Sequence, residues 1–128
     1  RKHAAMVKYR NMNAEAALQS MIDGTIGFHA SLLKLNFKFH QRYHRCFDLD
    51  KAYDEIAGVN KFSISVITNA LRSEHRDMSE AEAQRCALLS TRCCKALVME
   101  IMDEQPELLF EERFAQEMLA ICSAVLPE

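Results

Sequence analysis

The stretch that decides the fold is SEAEAQRCALLSTRCCKALVMEI, residues 79–101. It opens on a capping box, in which the Ser79 hydroxyl accepts a hydrogen bond from the third amide and Glu82 reaches back to the serine amide. Ser90 is the one polar member of the apolar stripe that follows, and we expect its hydroxyl to bond the carbonyl four residues earlier. The stripe keeps helical spacing over about five turns: Ala83, Cys86, Ala87, Cys93, Cys94, Leu97, Val98 and Ile101. This pattern predicts one long helix.

Helical periodicity continues on both sides of this stretch. Asn13 and Asp48 are suitable N-caps, and Pro106 is suited to a first helical turn. The alternating run 62–68 has the β-branched composition of a strand, but a lone strand leaves its backbone groups unpaired, so we assign it to a helix. The other predicted helices are 2–10, 14–28, 30–45 with a break near 29–31, 48–71 and 107–126.

Composition agrees with a helical class. Only 3 glycines and 2 prolines occur in 128 residues, whereas sandwiches and barrels need a turn about every dozen residues. Gly24 and Gly27 form no phosphate loop, and we expect them to mark a bend or a close helix contact. We predict a single all-α domain, an antiparallel helical bundle of about five to six helices.

Charge distribution and cysteine count further limit the type of protein and its compartment. The 5 cysteines are odd in number and fit no disulfide framework, which predicts reduced thiols in the cytoplasm. No apolar run spans a membrane, and no secretory signal opens the chain. Residues 1–47 are basic and residues 48–128 acidic, a weak sign of a polyanion-binding neighbour. No motif indicates an enzyme, and we predict no cofactor.

Two groups of side chains are candidates for metal binding or thiol sensing. His40 and His44 lie one helical turn apart with Cys46 just beyond, a spacing that suits zinc if a third ligand joins. Nearby basic residues disfavour a cation, so we predict no metal. Cys93 and Cys94 suit thiol sensing if one is exposed, although core packing is the commoner role of such cysteines.

Two sets of apolar positions are candidates for binding. An apolar pocket with one polar group is predicted among Phe28, His29, Leu32, Leu33, Phe37, Phe62 and Val66. The last two helices are apolar over more than one stripe, which fits either a subunit interface or the central pair of a compact bundle. The candidate interface residues are Cys86, Leu89, Cys93, Leu97, Phe114, Met118, Ile121, Cys122 and Val125.

The whole pattern resembles the C-terminal domain of tetracycline-repressor (TetR) family transcriptional regulators. MSEAEAQRCA, residues 78–87, is similar to the L-S-P-A-E-A-x-x-x-A opening of that family's first interface helix. LQSMIDGTIGFH (18–29) resembles a helix that opens the pocket in this family. Phe37-x-Phe39 resembles the family's aromatic-rich helix, and DLDK (48–51) resembles the acidic start of the long helix that follows. KALV (95–98) and EMLAI (117–121) are similar to the ends of the interface helices.

The resemblance implies an effector-binding and dimerisation domain of a repressor. Residues 1–12 would end a connecting helix, 14–72 would bind a small apolar effector, and 79–126 would form a homodimer. DNA would be bound only by an N-terminal helix-turn-helix domain that this chain lacks. Two alternatives remain open: a stand-alone helical interaction module, and a metal or thiol redox-sensing bundle.

Overall fold

The computed structural model describes residues 12–43 and 54–127, and the regular structure of this part is entirely helical. Five α-helices are found there: α1 (Ala14–Leu35), α2 (Phe37–Tyr43), α3 (Asp54–Glu74), α4 (Glu80–Glu104) and α5 (Phe114–Cys122). Short 3-10 segments precede and follow α5, at Pro106–Phe110 and Ser123–Val125. The predicted all-α class is confirmed. The predicted helix 2–10 and the Asp48 cap lie outside the described residues.

Two hydrogen bonds hold the first turn of α1, one with its own N-cap residue and one with the end of a distant helix. The side-chain oxygen of Asn13 accepts a hydrogen bond of 2.7 Å from the amide of Ala16, which confirms the predicted N-cap. The amide of Ala14 donates to a carboxylate oxygen of Glu74 at 2.6 Å. Since Glu74 ends α3, this bond ties the start of one helix to the end of another.

The break between α1 and α2 lies at Asn36, so the predicted break near 29–31 is wrong. The Asn36 amide donates to the Leu32 carbonyl at 3.1 Å and ends α1. Its side-chain oxygen then accepts from the amide of Phe39 at 3.1 Å. One asparagine therefore terminates α1 and caps α2, a role for which its short amide side chain is suited.

The two glycines of α1 do not have the predicted role. A methyl group placed on Gly24 or Gly27 would meet no atom within 4 Å outside the helix. Both residues are exposed and lie within the uninterrupted helix. They mark no close helix contact, and the helix continues through both.

The strand-like run 62–68 is helical, as predicted. It lies within α3, where Ile67 is fully buried. The hydroxyl of Thr68 donates to the Ile64 carbonyl at 2.7 Å, so this buried polar group is satisfied within its own helix. Burial against the core outweighs the β propensity of the branched side chains.

The long helix α4 begins where the capping box predicts. The Ser79 hydroxyl oxygen accepts from the amide of Glu82 at 3.1 Å. The hydroxyl of Ser90 bonds the Ala87 carbonyl at 3.0 Å, three residues earlier instead of the predicted four.

The chain after α4 departs from the prediction of one helix over 107–126. Pro106 starts a 3-10 segment that contains Phe110, and Glu111 is extended. The last α-helix therefore covers only Phe114–Cys122.

The core forms around α1, which packs against each of the other four α-helices. Its largest fully buried side chains come from four helices: Leu18, Ile22, Leu33, Ile67, Leu71, Val98, Met102 and Met118. Complete burial of such a side chain stabilises the fold by about 1.5–3 kcal/mol. In the described part every buried side-chain nitrogen and oxygen has a hydrogen-bond partner. None of the described helices is both long and apolar enough to cross a membrane.

Candidate functional site

The predicted pocket residues lie on three helices, α1, α2 and α3. We call the junction of α1 and α2 at Asn36 the α1–α2 corner. His29 and Leu33 are buried on α1, at 6% and 1% exposure. Leu32, Phe62 and Val66 are half-buried. Phe28 and Phe37 are each 41% exposed. The described structure thus buries one polar residue of the predicted set, His29, and leaves the rings of Phe28 and Phe37 at the surface.

His29 is paired with a histidine that the pocket prediction did not include. Its Nδ1 lies 3.1 Å from Nε2 of His40 on α2, and the ring centroids are 5.3 Å apart. The rings of Phe28 and His29 are nearly perpendicular, with a centroid distance of 5.4 Å and an interplanar angle of 81°. We call His29 and His40 the histidine pair.

The histidine pair constrains the protonation of both rings. A neutral imidazole has one donor and one acceptor nitrogen, so one of the two facing nitrogens carries the hydrogen and the other accepts it. If both facing nitrogens carried hydrogens, the hydrogen bond would be lost. The pair therefore gives the α1–α2 corner a polar contact that depends on proton position, next to exposed aromatic surface.

The structure offers no metal centre in its described part. No group of three or more His, Cys, Asp or Glu side chains suited to a metal ion occurs there, whereas a zinc site takes at least three protein ligands. His44 and Cys46, the suggested partners of His40, lie outside the described residues.

A surface depression lies elsewhere, along the last turns of α3 and the turn that follows. It is lined by Asn69, Arg72, Ser73 and Arg76. Arg72 lies 3.9 Å from a carboxylate oxygen of Glu80, and both side chains are largely exposed. None of the predicted pocket residues lines this polar depression.

The candidate interface residues separate into core and surface. Phe114, Met118 and Cys122 are buried in the core of the chain itself, so they have no surface to offer a partner. Ile121 is 52% exposed, Leu89 45% and Val125 41%. The remaining candidates are half-buried on α4: Cys86, Cys93 and Leu97.

Four of these residues form a second apolar stripe on α4. Cys86, Leu89, Cys93 and Leu97 are spaced three or four residues apart and so share one flank of the helix. The α4 helix packs against α5, and burial together with Cys122 of α5 raises the pKa of Cys93. Leu88 is 42% exposed but is rotated by about 100° from Leu89, outside the stripe. We call these four residues the α4 stripe.

Three thiols on the packed helices α4 and α5 influence one another's pKa. Cys122 affects the pKa of both Cys93 and Cys94, and Thr25 of α1 affects that of Cys94. Thr25 also donates to the Met21 carbonyl at 2.9 Å. Cys94 and Cys122 are buried and Cys93 is half-buried, and all are free thiols. We call Cys93, Cys94 and Cys122 the thiol cluster.

The thiols of this cluster differ in acidity. A hydrogen bond from the Cys122 thiol lowers the pKa of Cys94, with a smaller contribution from Thr25, although burial opposes the shift. The same bond raises the pKa of Cys122. Burial raises the pKa of Cys93, and Cys122 adds to that effect. The sequence prediction singled out the Cys93–Cys94 pair but not the effect of Cys122 on the pKa of both thiols, which depends on the packing of α4 on α5.

Compared with protein-family models, with curated proteins and with solved structures, the chain matches none of them.

Proposed function

We propose that this chain is the effector-binding and dimerisation domain of a TetR-like transcriptional repressor. The observation that carries the proposal is the α4 stripe with its exposed Leu89, together with the exposed Ile121 and Val125 of the last helical segments, which pack against α4. Single exposed aliphatic residues are ordinary on a protein surface. An aligned set on two packed helices is what a helix–helix interface requires.

A second copy of the chain is the partner that fits this surface. Two-fold dimers use the same patch on both subunits, so a self-complementary aliphatic patch suffices. Two helices from each subunit would then form a four-helix antiparallel bundle at the interface, with their other faces in the subunit cores. Phe114, Met118 and Cys122 would support this interface from below.

The α1–α2 corner is the proposed effector site. Small-molecule sites are mostly apolar with a few fixed polar groups. Phe28, Leu32 and Phe37 would supply apolar contact, and the histidine pair would supply the polar part of the site. The proposed effector is therefore a small, largely apolar molecule with one hydrogen-bonding group.

Coupling between the two proposed sites would pass through α1. This helix packs against α4 and α5 as well as α2, so a ligand that changes the α1–α2 corner acts on an element shared with the interface. Effector binding would change the relative positions of the two subunits and of DNA-binding domains preceding them. Such linkage requires that the effector bind one arrangement more tightly than the other.

The dimer is tested by light scattering on the chain and two matched variants. We expect a mass near twice 14.7 kDa at micromolar concentration, a monomer for Leu89→Glu and a dimer for Leu88→Glu. Both leucines are similarly exposed on α4, but only Leu89 belongs to the stripe. A native monomer, or equal disruption by the two variants, contradicts the proposal and favours a stand-alone interaction module.

The effector site is tested by thermal shift with a panel of small apolar alcohols, acids and ketones. A compound that raises Tm of the native chain should lose this effect in His29→Ala. Leu35→Ala is the matched control because Leu35 lies on the same helix but is 83% exposed. If the two variants lose the ligand-induced rise in Tm equally, or if both retain it, the ligand binds outside the corner.

A further inference from the structure

We infer that residues 34–39, at the α1–α2 corner, bind the surface of an anionic lipid bilayer. We call these residues, with the sequence KLNFKF, the 34–39 segment. All six are exposed, and they form the longest uninterrupted run of exposed residues in the part of the chain that the structure describes. Binding at a bilayer surface needs no membrane-spanning helix. The inference depends on neither the proposed effector nor the proposed dimer.

The 34–39 segment exposes three large apolar side chains. Leu35 is 83% exposed, Phe39 51% and Phe37 41%. Of the large apolar residues that the structure describes, Leu35 is the most exposed. Single apolar residues on a surface are ordinary, but a group of them at one place marks a binding surface for a protein or a membrane.

The geometry of the corner keeps these side chains at the surface. The amide of Asn36 donates to the Leu32 carbonyl at 3.1 Å and ends α1. The side-chain oxygen of the same asparagine accepts from the amide of Phe39 at 3.1 Å and caps α2. Because both helix ends are capped by one residue, the exposed side chains lie on a defined turn between two helices.

The charges on and around the 34–39 segment have one sign. Lys34 and Lys38 lie within it and are both exposed, and Arg42 follows Lys38 by one helical turn. Residues 24–43 contain no aspartate or glutamate. An anionic bilayer is complementary to this arrangement, because it attracts lysine to its headgroups and takes up leucine and phenylalanine beneath them.

The contact of Lys34 with the rest of the chain leaves its charge in place. Its Nζ lies 5.9 Å from the centroid of the Phe110 ring, and an aromatic ring attracts a cation without neutralising it. Phe110 is 44% exposed. Glu107 and Glu111 flank this ring in the sequence, so we expect the attraction to anionic lipid to be confined to the 34–39 segment.

A bilayer fits the segment better than a nucleic acid does. Basic residues beside aromatic rings also bind single strands, because the rings stack on bases. The most exposed side chain of the segment is Leu35, which has no ring to stack. A bilayer accepts leucine and phenylalanine alike, since it requires only apolar side chains that reach below the headgroups.

The test is sedimentation of the native chain with two kinds of lipid vesicle. One consists of phosphatidylcholine alone, and the other is a mixture of phosphatidylcholine and phosphatidylserine. We expect the chain to sediment with the mixed vesicles and to remain in solution with phosphatidylcholine. Added sodium chloride should weaken the binding, because salt screens the potential of the anionic surface.

Matched variants locate the binding surface. Leu35→Glu should lower the partition coefficient for mixed vesicles by at least about tenfold, since it removes the most exposed apolar group. Leu88→Glu is its control, because Leu88 is an exposed leucine on α4. Lys38→Ala should lower the coefficient by about fivefold. Its control is Lys61→Ala, an exposed lysine on α3, and both controls should bind like the native chain.

Three results would overturn the inference. The first is equal sedimentation of the native chain with both kinds of vesicle, or with neither. The second is an equal loss of vesicle binding in Leu35→Glu and Leu88→Glu, with circular dichroism showing that both variants are folded. The third is tighter binding of a single-stranded oligonucleotide than of mixed vesicles, with the same loss in Lys38→Ala, which would assign the segment to nucleic acid.

Discussion

The α1–α2 corner and the α4–α5 pair differ in the kinds of side chain that they bury and expose. The corner holds a partly buried polar contact, the histidine pair, beside the exposed ring of Phe28. The α4–α5 pair buries thiols and aliphatic groups and exposes the aliphatic side chains of Leu89 and Ile121. Polar contacts in an apolar setting fix positions and can respond to a ligand or a proton. Contact between aliphatic surfaces does not depend on the orientation of individual groups, which suits association between subunits. The difference supports a sensing role for the corner and an association role for the pair.

The largest expected effect separates the two sides of α5. Met118→Ala should lower the free energy of unfolding by about 2–5 kcal/mol, because it removes a fully buried side chain and leaves a cavity. Ile121→Ala, on the exposed side, should change the monomer's value by about 0.5 kcal/mol or less. Urea denaturation at a concentration where the chain is monomeric measures both. Similar losses of unfolding free energy in the two variants would contradict the assignment of Met118 to the core and Ile121 to the surface.

The histidine pair should have an intermediate effect. His40→Ala leaves the buried His29 without its ring partner and should cost about 1–3 kcal/mol. His75→Ala is the control, since His75 is more exposed and lies 3.9 Å from Glu74, a weak surface contact.

A double-mutant cycle isolates the contact between the two rings. The combined His29→Ala and His40→Ala variant should lose less stability than the sum of the single losses. Additive losses would mean that the rings do not stabilise each other, and the corner would lose its distinguishing polar contact.

The smallest effect concerns the two glycines of α1. Gly24→Ala and Gly27→Ala should each raise the free energy of unfolding by about 0.5–1 kcal/mol, because the added methyl group meets nothing and alanine favours the helix. Thermal unfolding measures the gain. If Gly27→Ala, close to the corner, destabilises the chain while Gly24→Ala does not, the corner is more tightly packed than the structure indicates.

Local rules made much of the helical fold predictable. The caps at Asn13 and Ser79 depend on hydrogen bonds to an amide three residues away, and both are present. The break at Asn36 was missed because the apolar run 30–39 continues past it, so periodicity alone gave no end. The short α5 was missed for a similar reason, since a 3-10 segment keeps apolar residues at nearly helical spacing.

The candidate sites depended on contacts that the sequence does not encode locally. The histidine pair joins residues eleven apart across the break at Asn36, and a wrong position for that break hid it. Cys122 affects the pKa of Cys93 from a separate helix. Periodicity identified α4 and α5 as doubly apolar, but only packing decides that Met118 faces the core and Ile121 the solvent.

Hydrogen–deuterium exchange of the native chain at two concentrations tests the central claim most directly. Dilution from micromolar to nanomolar should increase exchange in peptides covering the α4 stripe and 118–126, because dimer dissociation uncovers them. Peptides covering the α1–α2 corner should exchange at the same rate at both concentrations. Equal exchange everywhere, or a change confined to the corner, would contradict the assignment of association to the α4–α5 pair.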